Sequence, residues 1–452
     1  MNRPGRGVRG AGLLAGLLLL GACASDEVIL EGERLGVRPS PIAASAQAAP
    51  DAAPDTAPDT AAPAPELNLP APVSGPDWTQ TAGGPTHAAP HPALAEVPQL
   101  VWSAAIGQGN SRRNRIASDP IVAEGRVYTL DSRARVAATS TSGQSLWARD
   151  LTPASDRAND ASGGGLAYGD GRVFVTTGFG EIVALDPATG APVWRQKLDA
   201  PATSSPTVAG GLVYVVSRDN RAWAIDASDG RVRWQLPGTP SLAGMVGGAG
   251  PAVTEQIAIF PFGSGELVAA LRQGGVRVWG ASVSGKRRGR AYANLTDIVA
   301  DPVVVDGVIY TGNQSGRSVA IEAATGNRIW TVDEGAYGPV TVAGGSVFLI
   351  SDEARLLRLD AATGERIWSV DLPYFKRERT RRSKAIYALY GPVLAGGNLW
   401  IASNDGSLKS YDPEDGSAGS SIDLPGGAAS SMAVAGGTMY VLSDRGKLLA
   451  YR

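Results

Sequence analysis

The sequence predicts an all-β fold, an eight-bladed β-propeller closed by pairing of its N- and C-terminal strands in one blade, and three observations lead to it. Seven tryptophans recur about 40–50 residues apart, the period expected of one four-stranded blade. Most of them follow an Asp-to-Gly turn such as residues 186–190. The repeats begin with an outer-type strand at residues 100–103 and end after a third-type strand at residues 447–451. The two ends together therefore complete one four-stranded blade. The seven are Trp102, Trp147, Trp194, Trp234, Trp279, Trp330 and Trp368.

Each repeat divides into four strands at its turns. In one repeat, residues 206–216 contain two strands around a Gly-Gly turn, and residues 222–226 and 231–234 supply the third and outer strands. Glycine suits these hairpins because their turns need positive φ. The aspartate of the second turn is expected to accept backbone N–H bonds within it. Seven tryptophan-bearing outer strands and a degenerate one near residues 417–422 make eight blades.

The regular tryptophans are expected to wedge between adjacent blades, where large flat rings bury area efficiently. The alternative is a row of surface platforms for sugars or peptides. Trp78, Trp223 and Trp400 break the pattern and are the better candidates for exposed contacts, although burial is the commoner outcome for such side chains.

The N-terminus predicts an export signal and a lipid anchor. Three arginines precede an apolar run at residues 11–20, as in a secretory signal peptide, predicted here at residues 1–22. The next residues, Leu-Gly-Ala-Cys, resemble the lipobox of bacterial lipoproteins, and Cys23 is the single cysteine of the chain. We therefore predict lipidation of Cys23, with several acyl chains giving a stable anchor. Ala24 in place of aspartate favours the periplasmic face of the outer membrane.

Composition divides the remainder of the chain. Residues 23–77 are rich in alanine and proline and predict a mostly disordered tether. An entry segment at residues 78–99 and the propeller at residues 100–452 follow. The formal net charge of −2 argues against nucleic acid as the partner, because such partners usually need a broad basic surface.

The residues for common catalytic chemistry are missing. The two histidines, His87 and His91, both precede the first blade, and no His/Cys cluster has metal-ligand spacing. No serine lies in a Gly-x-Ser-x-Gly elbow with a histidine partner in the blades. We therefore expect no catalytic residues, metal or cofactor, and a protein that is not an enzyme.

Basic residues, in contrast, form three clusters. All three fall in connections from an outer strand to the next inner strand, and such connections emerge on one face. The predicted basic face suits an acidic protein surface or anionic lipid head groups, and the alternative is ordinary solvated loops. The clusters are Arg112, Arg113 and Arg115; Lys286, Arg287, Arg288 and Arg290; and Lys376, Arg377, Arg379, Arg381, Arg382 and Lys384.

The Asp-x-x-Thr-Gly-x-x-x-Trp units resemble the quinoprotein-type, or PQQ-like, repeat over residues 100–452, a repeat shared by enzymes and non-enzymes. Three further features restrict the resemblance to one family: the lipobox, the count of eight blades, and the entry segment with Trp78, Gln80 and His87. Residues 295–307 are similar to the segment that enters the fifth blade in the BamB family, the lipoprotein propellers of the outer-membrane β-barrel assembly machinery.

The resemblance implies a partner and its contact residues. In that family this segment and a loop before the fourth blade contact the POTRA domains of the barrel-inserting subunit, BamA. By resemblance Asp297 and Val299 lie in one contact segment, and Leu242 and Ala243 lie in the other. Two positions depart from the family pattern: Val299 replaces a frequent second acidic residue, and the arginine expected after Leu242 is missing.

The expected function is therefore a non-catalytic scaffold that binds the barrel-inserting subunit and other assembly lipoproteins and helps unfolded outer-membrane proteins reach them. Two alternatives stay open. A quinone-dependent dehydrogenase shares the repeat, although such enzymes typically carry adjacent cysteines over the cofactor. A periplasmic glycan or cell-wall binder would use Trp223, Trp400 and the basic loops.

Overall fold

The computed structural model describes residues 66–452 except residues 203, 242–246, 286, 288–294 and 378–384. Cys23, the predicted signal peptide and the predicted tether up to residue 65 therefore lie outside the described residues. The described part belongs to one compact unit, Thr60–Arg452. It consists of eight four-stranded antiparallel sheets and a short 3-10 turn at Thr81–Gly83. Its residues include no helix that is long and apolar enough to cross a bilayer.

The eight sheets are the predicted blades, and the class and the blade count are confirmed. Blades 1 to 4 contain β2 (Ile121–Ala123), β3 (Arg126–Leu130), β4 (Arg135–Ser140), β5 (Ser145–Asp150); β6 (Gly164–Gly169), β7 (Arg172–Thr177), β8 (Glu181–Leu185), β9 (Pro192–Lys197); β10 (Thr207–Ala209), β11 (Leu212–Ser217), β12 (Arg221–Asp226), β13 (Val232–Pro237); and β14 (Ala252–Val253), β15 (Ile257–Pro261), β16 (Glu266–Leu271), β17 (Arg277–Ser282). Blades 5 to 8 contain β18 (Val303–Val305), β19 (Val308–Asn313), β20 (Arg317–Glu322), β21 (Arg328–Val332); β22 (Thr341–Ala343), β23 (Ser346–Ile350), β24 (Arg355–Asp360), β25 (Arg366–Asp371); β26 (Leu389–Ala395), β27 (Asn398–Ser403), β28 (Ser407–Tyr411), β29 (Ala418–Asp423); and β30 (Ala428–Ala435), β31 (Thr438–Ser443), β32 (Lys447–Tyr451), β1 (Leu100–Ala105).

The ring closes in blade 8, as predicted. Strand β1 pairs antiparallel with β32, with Trp102 opposite Ala450 and Ala105 opposite Lys447. The backbone of Gln99 exchanges two hydrogen bonds with that of Arg452, at 2.8 and 2.9 Å. Closure removes the two free edges that an open array would expose.

Each regular tryptophan joins its blade to the next one. Its indole Nε1 donates a hydrogen bond of 2.8–3.3 Å to a backbone carbonyl in the third-to-outer turn of the following blade, as Trp194 does to Ala227. A glycine in that turn lies under the ring, and a Cβ there would stand within 3.0 Å of the indole, as at Gly230 over Trp194. The predicted packing between blades is confirmed, and the surface-platform alternative is wrong for these residues.

The turn aspartates have their predicted role as well. Asp186 Oδ1 accepts the backbone N–H groups of Ala188 and Thr189 at 3.1 and 2.8 Å. Asp360 repeats the pattern with the N–H groups of the second and third residues after it.

The absence of a tryptophan from the outer strand β29 has a structural reason. It precedes blade 8, whose third strand β32 and outer strand β1 come from opposite ends of the array, so no turn joins them. A tryptophan in β29 would have no third-to-outer turn to pack beneath. The first four residues of β29, Ala-Gly-Ser-Ser, are small, which agrees with this.

Candidate partner-binding faces

The disc has two unlike faces. One, here called the turn face, carries the inner-to-second turns and the Asp-to-Gly turns. The other, the connection face, carries the second-to-third hairpins and the connections from each outer strand to the next inner strand. The three predicted basic clusters and both predicted contact segments fall in such connections, between β1 and β2, β13 and β14, β17 and β18, and β25 and β26.

A strap formed by residues 75–92 crosses the turn face over the central channel. Its backbone and the Gln80 side chain form hydrogen bonds to seven of the eight blades. The backbone of Trp78 exchanges bonds of 2.7 and 2.8 Å with Val122, and Gln80 bonds both backbone groups of Val208 at 2.9 Å. The other blade residues that bond the strap backbone are Tyr168, Val253, Val304, Gly396 and Gly436.

The side chains of the strap close the channel on this face. Trp78 is 2 % exposed, and it lines an internal cavity together with Ala82, His87 and the inner strands of blades 6 to 8. Residues that the sequence assigned to the tether also bind the strap, because Val73 pairs with Pro92. Sequence reasoning singled out Trp78 and Gln80 but did not predict the strap, because most of its bonds come from backbone groups.

Hydrogen bonds of both histidines hold the strap in place. His87 is 2 % exposed, and its Nδ1 lies 3.0 Å from the Pro302 carbonyl. His91 bridges the Pro70 carbonyl, at 2.6 Å, and the Gly397 N–H, at 2.8 Å. Among the described residues no group of three or more His, Cys, Asp or Glu side chains could hold a metal ion.

Two carboxyl groups face the inside of the ring, at the inner ends of blades 1 and 5. Asp119 accepts the Ser431 N–H at 2.8 Å, and Asp301 accepts the Gly250 N–H at 2.6 Å. Burial raises the pKa of Asp119 to about 7, helped by the charge of Asp301, and burial raises the pKa of Asp301 to about 6. Burial lowers the pKa of His87 to about 4.

These pKa shifts predict a pH-dependent contribution to stability. A carboxyl group whose pKa rises on folding stabilises the fold fully below its ordinary pKa, and this contribution is lost as pH rises through the folded pKa. The free energy of unfolding of the native chain relative to Asp119→Asn should therefore fall between about pH 4 and pH 7, by up to about 1.4 kcal/mol per pH unit for one proton. His87 acts in the opposite direction but is common to both proteins.

The measurement is chemical denaturation of both proteins across this pH range. Asp415→Asn is the control, because hydrogen bonds from Ser417 lower the pKa of this exposed carboxyl group. Its difference from the native chain should have the opposite sign. An equal pH dependence for the native chain and Asp119→Asn would contradict the assignment.

On the connection face, Asp297 and Val299 lie at the seam between blades 4 and 5. Ile298 between them pairs with Asn313 of β19, and a Cβ on Gly263 of blade 4 would stand 2.6 Å from Asp297 Oδ1. Both predicted contact residues are 6 % exposed, whereas their neighbours Leu295 and Thr296 are half-buried. Leu242 and Ala243 lie outside the described residues.

The described members of the basic clusters lie in connections on the connection face, but one of them, Arg287, is held in an ion pair. Arg287 donates to both carboxylate oxygens of the buried Asp352, at 2.7 Å each, and lies 3.7 Å from Glu334. Its inclusion in a basic face was wrong, because its charge is neutralised in a partly buried pair. Arg377 is exposed. Arg288, Arg290, Arg381 and Arg382 lie outside the described residues.

The three irregular tryptophans are buried, which is the commoner outcome for such side chains, and none of them is a candidate for exposed contacts. Trp223 is 2 % exposed and donates to Ser217 Oγ at 2.9 Å, and Trp400 is 0 % exposed and donates to the Ala395 carbonyl. The glycan-binding alternative required exposed Trp223 and Trp400, so their burial removes its proposed stacking surfaces.

The fold and its repeats define the class of protein, an eight-bladed β-propeller of PQQ-like repeats. The family model described as "Outer membrane protein assembly factor BamB" matches residues 132–370, more than half of the chain. The chain belongs to this family.

Individual comparisons agree with this assignment. The outer membrane protein assembly factor BamB of Moranella endobia (strain PCIT) is 25 % identical over 260 residues, which cover 56 % of this chain and 67 % of that protein. The chain spans about two thirds of the length of the first curated relatives that it matches, 63–67 %.

Two solved structures show the same fold. BamB from Moraxella catarrhalis has a TM-score of 0.66 at 19 % identity and covers 79 % of this chain and 100 % of that one. Quinohemoprotein alcohol dehydrogenase from Comamonas testosteroni has a TM-score of 0.63 at 16 % identity, covering 83 % and 80 %. At these identities the likeness concerns the fold alone.

Proposed function

We propose that this chain is a non-catalytic scaffold of the outer-membrane β-barrel assembly machinery, which binds the POTRA domains of a BamA-like barrel-inserting subunit. The observation that carries the proposal is its membership of the BamB family. The geometry supports it, because β13 and β17, the strands that precede the two contact segments implied by the family resemblance, end on the same face, on either side of blade 4.

The segment before blade 5 is held in a defined shape. Thr296 Oγ1 donates to the Gly263 carbonyl at 2.9 Å, and the Ala300 N–H donates to the Gly312 carbonyl at 3.3 Å. Blade 4 and blade 5 therefore fix it from both sides. We propose that Leu295 and Thr296 contact the partner together with Leu242 and Ala243, while Asp297 and Val299 shape the edge of this surface.

The anchor and the clients complete the proposal. Lipidation of Cys23 would hold the disc at the periplasmic face of the outer membrane, beside other assembly lipoproteins. Unfolded outer-membrane proteins would pair transiently with the outer strands, whose free edges carry exposed aliphatic side chains such as Val101, Val193 and Val278. No bond is made or broken in this mechanism.

In the enzyme alternative, the centre of the disc would hold a cofactor. A quinone-dependent dehydrogenase binds its cofactor in the disc, whereas here the strap covers one mouth of the channel with Trp78 and His87. The single cysteine also leaves no adjacent pair of the kind typical of those enzymes. Absorbance of the purified protein distinguishes the two functions, because a bound quinone is coloured.

A charge reversal tests the partner contact. Asp297→Lys should weaken binding of purified POTRA domains at least tenfold, about 1.4 kcal/mol, because a long cation at this buried position would disturb the edge against Gly263 that shapes the contact. The measurement is titration calorimetry on the full chain.

Asp371→Lys is the matched control, because Asp371 is exposed on the same face at the end of β25. Asp297→Asn tests the same position with a smaller change, and the thermal midpoint checks that each variant is folded. Native affinity in both folded Asp297 variants would exclude this seam as the contact, and no binding by the native chain would refute the proposed function.

A further inference from the structure

A second charged surface lies on the connection face, away from the proposed POTRA contact. Six cations make up this basic sector, and all six are exposed. They come from three segments: the β1–β2 connection, the β25–β26 connection and the hairpin between β31 and β32. The six are Arg112, Arg113, Arg115, Lys376, Arg377 and Arg445.

The fold brings these segments together around Asp444. The Asn110 N–H donates to the Asp444 backbone carbonyl at 2.8 Å, and the Asn110 side chain donates to the carboxylate. Burial raises the pKa of Asp444, and the Asn110 hydrogen bond and the charges of Arg115 and Lys376 oppose this rise. Two connections far apart in sequence therefore meet on one hairpin of blade 8.

The cations of the sector form no close ion pair within the described part of the chain. None of the six cations takes part in the ion pairs found among the described residues. Asp444 already accepts the Asn110 bond, and the nearby hairpin residue Asp405 accepts both the N–H and the hydroxyl of Ser407. In contrast to Arg287, none of the six is held in one of these ion pairs, and Lys376 Nζ lies 5.6 Å from the centre of the Tyr387 ring.

We propose that the basic sector is a docking surface for an acidic protein surface rich in aspartate and glutamate. Five of the six cations are arginines, whose planar fork matches a carboxylate with two parallel hydrogen bonds. The β1–β2 connection also contributes two polar residues, Asn110 and the buried Asn114, to the sector.

Two observations favour a protein over a membrane. Apolar insertion strengthens peripheral membrane binding, and Ile386 is the one exposed large apolar residue of the described part of these three segments. The chain also enters the disc on the turn face, where residues 75–92 are docked, so the basic sector points away from the side on which the tether arrives.

This surface is separate from the proposed POTRA contact. It is centred on blade 8, between the connections into blades 1 and 7, whereas Asp297 lies at the connection into blade 5, three blades from blade 8 in a ring of eight. Its test therefore fails or succeeds independently of the proposed function.

The experiment uses the full chain, a fluorescent deca-glutamate peptide, and vesicles of phosphatidylethanolamine containing about one quarter phosphatidylglycerol. The triple variant Arg112→Glu, Arg113→Glu, Arg377→Glu should bind the peptide at least tenfold more weakly than the native chain. Native binding should also weaken between 50 and 200 mM salt, because exposed charges are screened. Vesicle binding and POTRA binding should be unchanged.

The control is the triple variant Lys197→Glu, Arg231→Glu, Arg366→Glu, which changes the net charge equally at exposed positions outside the sector. Equal loss in the control would show a non-specific charge effect and overturn the proposal. So would vesicle binding that depends on the sector without peptide binding, which identifies a membrane surface, or a native chain that binds neither probe.

Discussion

Replacing Trp78 with alanine will destabilise the whole disc by about 3–5 kcal/mol, the cost typical of deleting a fully buried tryptophan. The indole is 2 % exposed and belongs to an apolar cluster with Val122, Trp400 and Met432. Its loss opens a cavity at the mouth of the channel, in the place where the strap joins blades 1 and 8. For about 390 residues this corresponds to a fall of roughly 4–6 °C in the thermal midpoint.

Two readouts test this prediction. Calorimetry measures the midpoint, and hydrogen exchange follows the Tyr168, Val208 and Val253 amides, which donate to the strap from three blades. These amides should lose protection in Trp78→Ala if the strap holds the inner strands together. Glu96→Ala is the control, because Glu96 is exposed and such changes usually alter stability by less than about 0.5 kcal/mol. A native midpoint with native exchange at these amides would show that the strap contributes nothing to ring stability.

Gly230→Ala will destabilise the chain by about 2–5 kcal/mol, and Gly211→Ala by only about 1–2 kcal/mol. The two glycines belong to the same blade and have φ of +78° and +77°, so alanine meets the same left-handed strain at both. They differ in what a Cβ would touch. At Gly230 it would stand 2.7 Å from the Trp194 ring, whereas at Gly211 nothing lies within 4 Å. The additional cost, about 1–3 kcal/mol, is that of overpacking the seam.

A double-mutant cycle separates these two costs. In a Trp194→Ala background the clash disappears, so Gly230→Ala should then cost about as much as Gly211→Ala. Urea denaturation of the single and double variants gives the free energies of unfolding. An equal cost for the two glycine substitutions in the native background would mean that the turn, and not the tryptophan, requires glycine at position 230.

Much of the ring could be predicted because its signals are local. Each blade repeats the same turn chemistry, the tryptophans mark the outer strands, and the mismatched ends, residues 100–103 and 447–451, complete one blade. The basic clusters could be placed on one face for the same reason, since strand order alone decides on which face a connection emerges. The packing of each tryptophan on a turn glycine of the next blade could not be predicted from the sequence. A glycine is already expected there because the turn needs positive φ.

The sequence by itself determined the fold class, the number of blades, the way the ring closes and the face on which the charged connections lie. Tertiary structure alone decided that residues 75–92 form a strap, that Trp223 and Trp400 are buried, and that Arg287 is paired with Asp352 while Arg377 is exposed. The physical reason is the range of the interactions. Turns and strand periodicity depend on neighbours within one blade, whereas burial and ion pairing depend on side chains that closure brings together from distant parts of the chain.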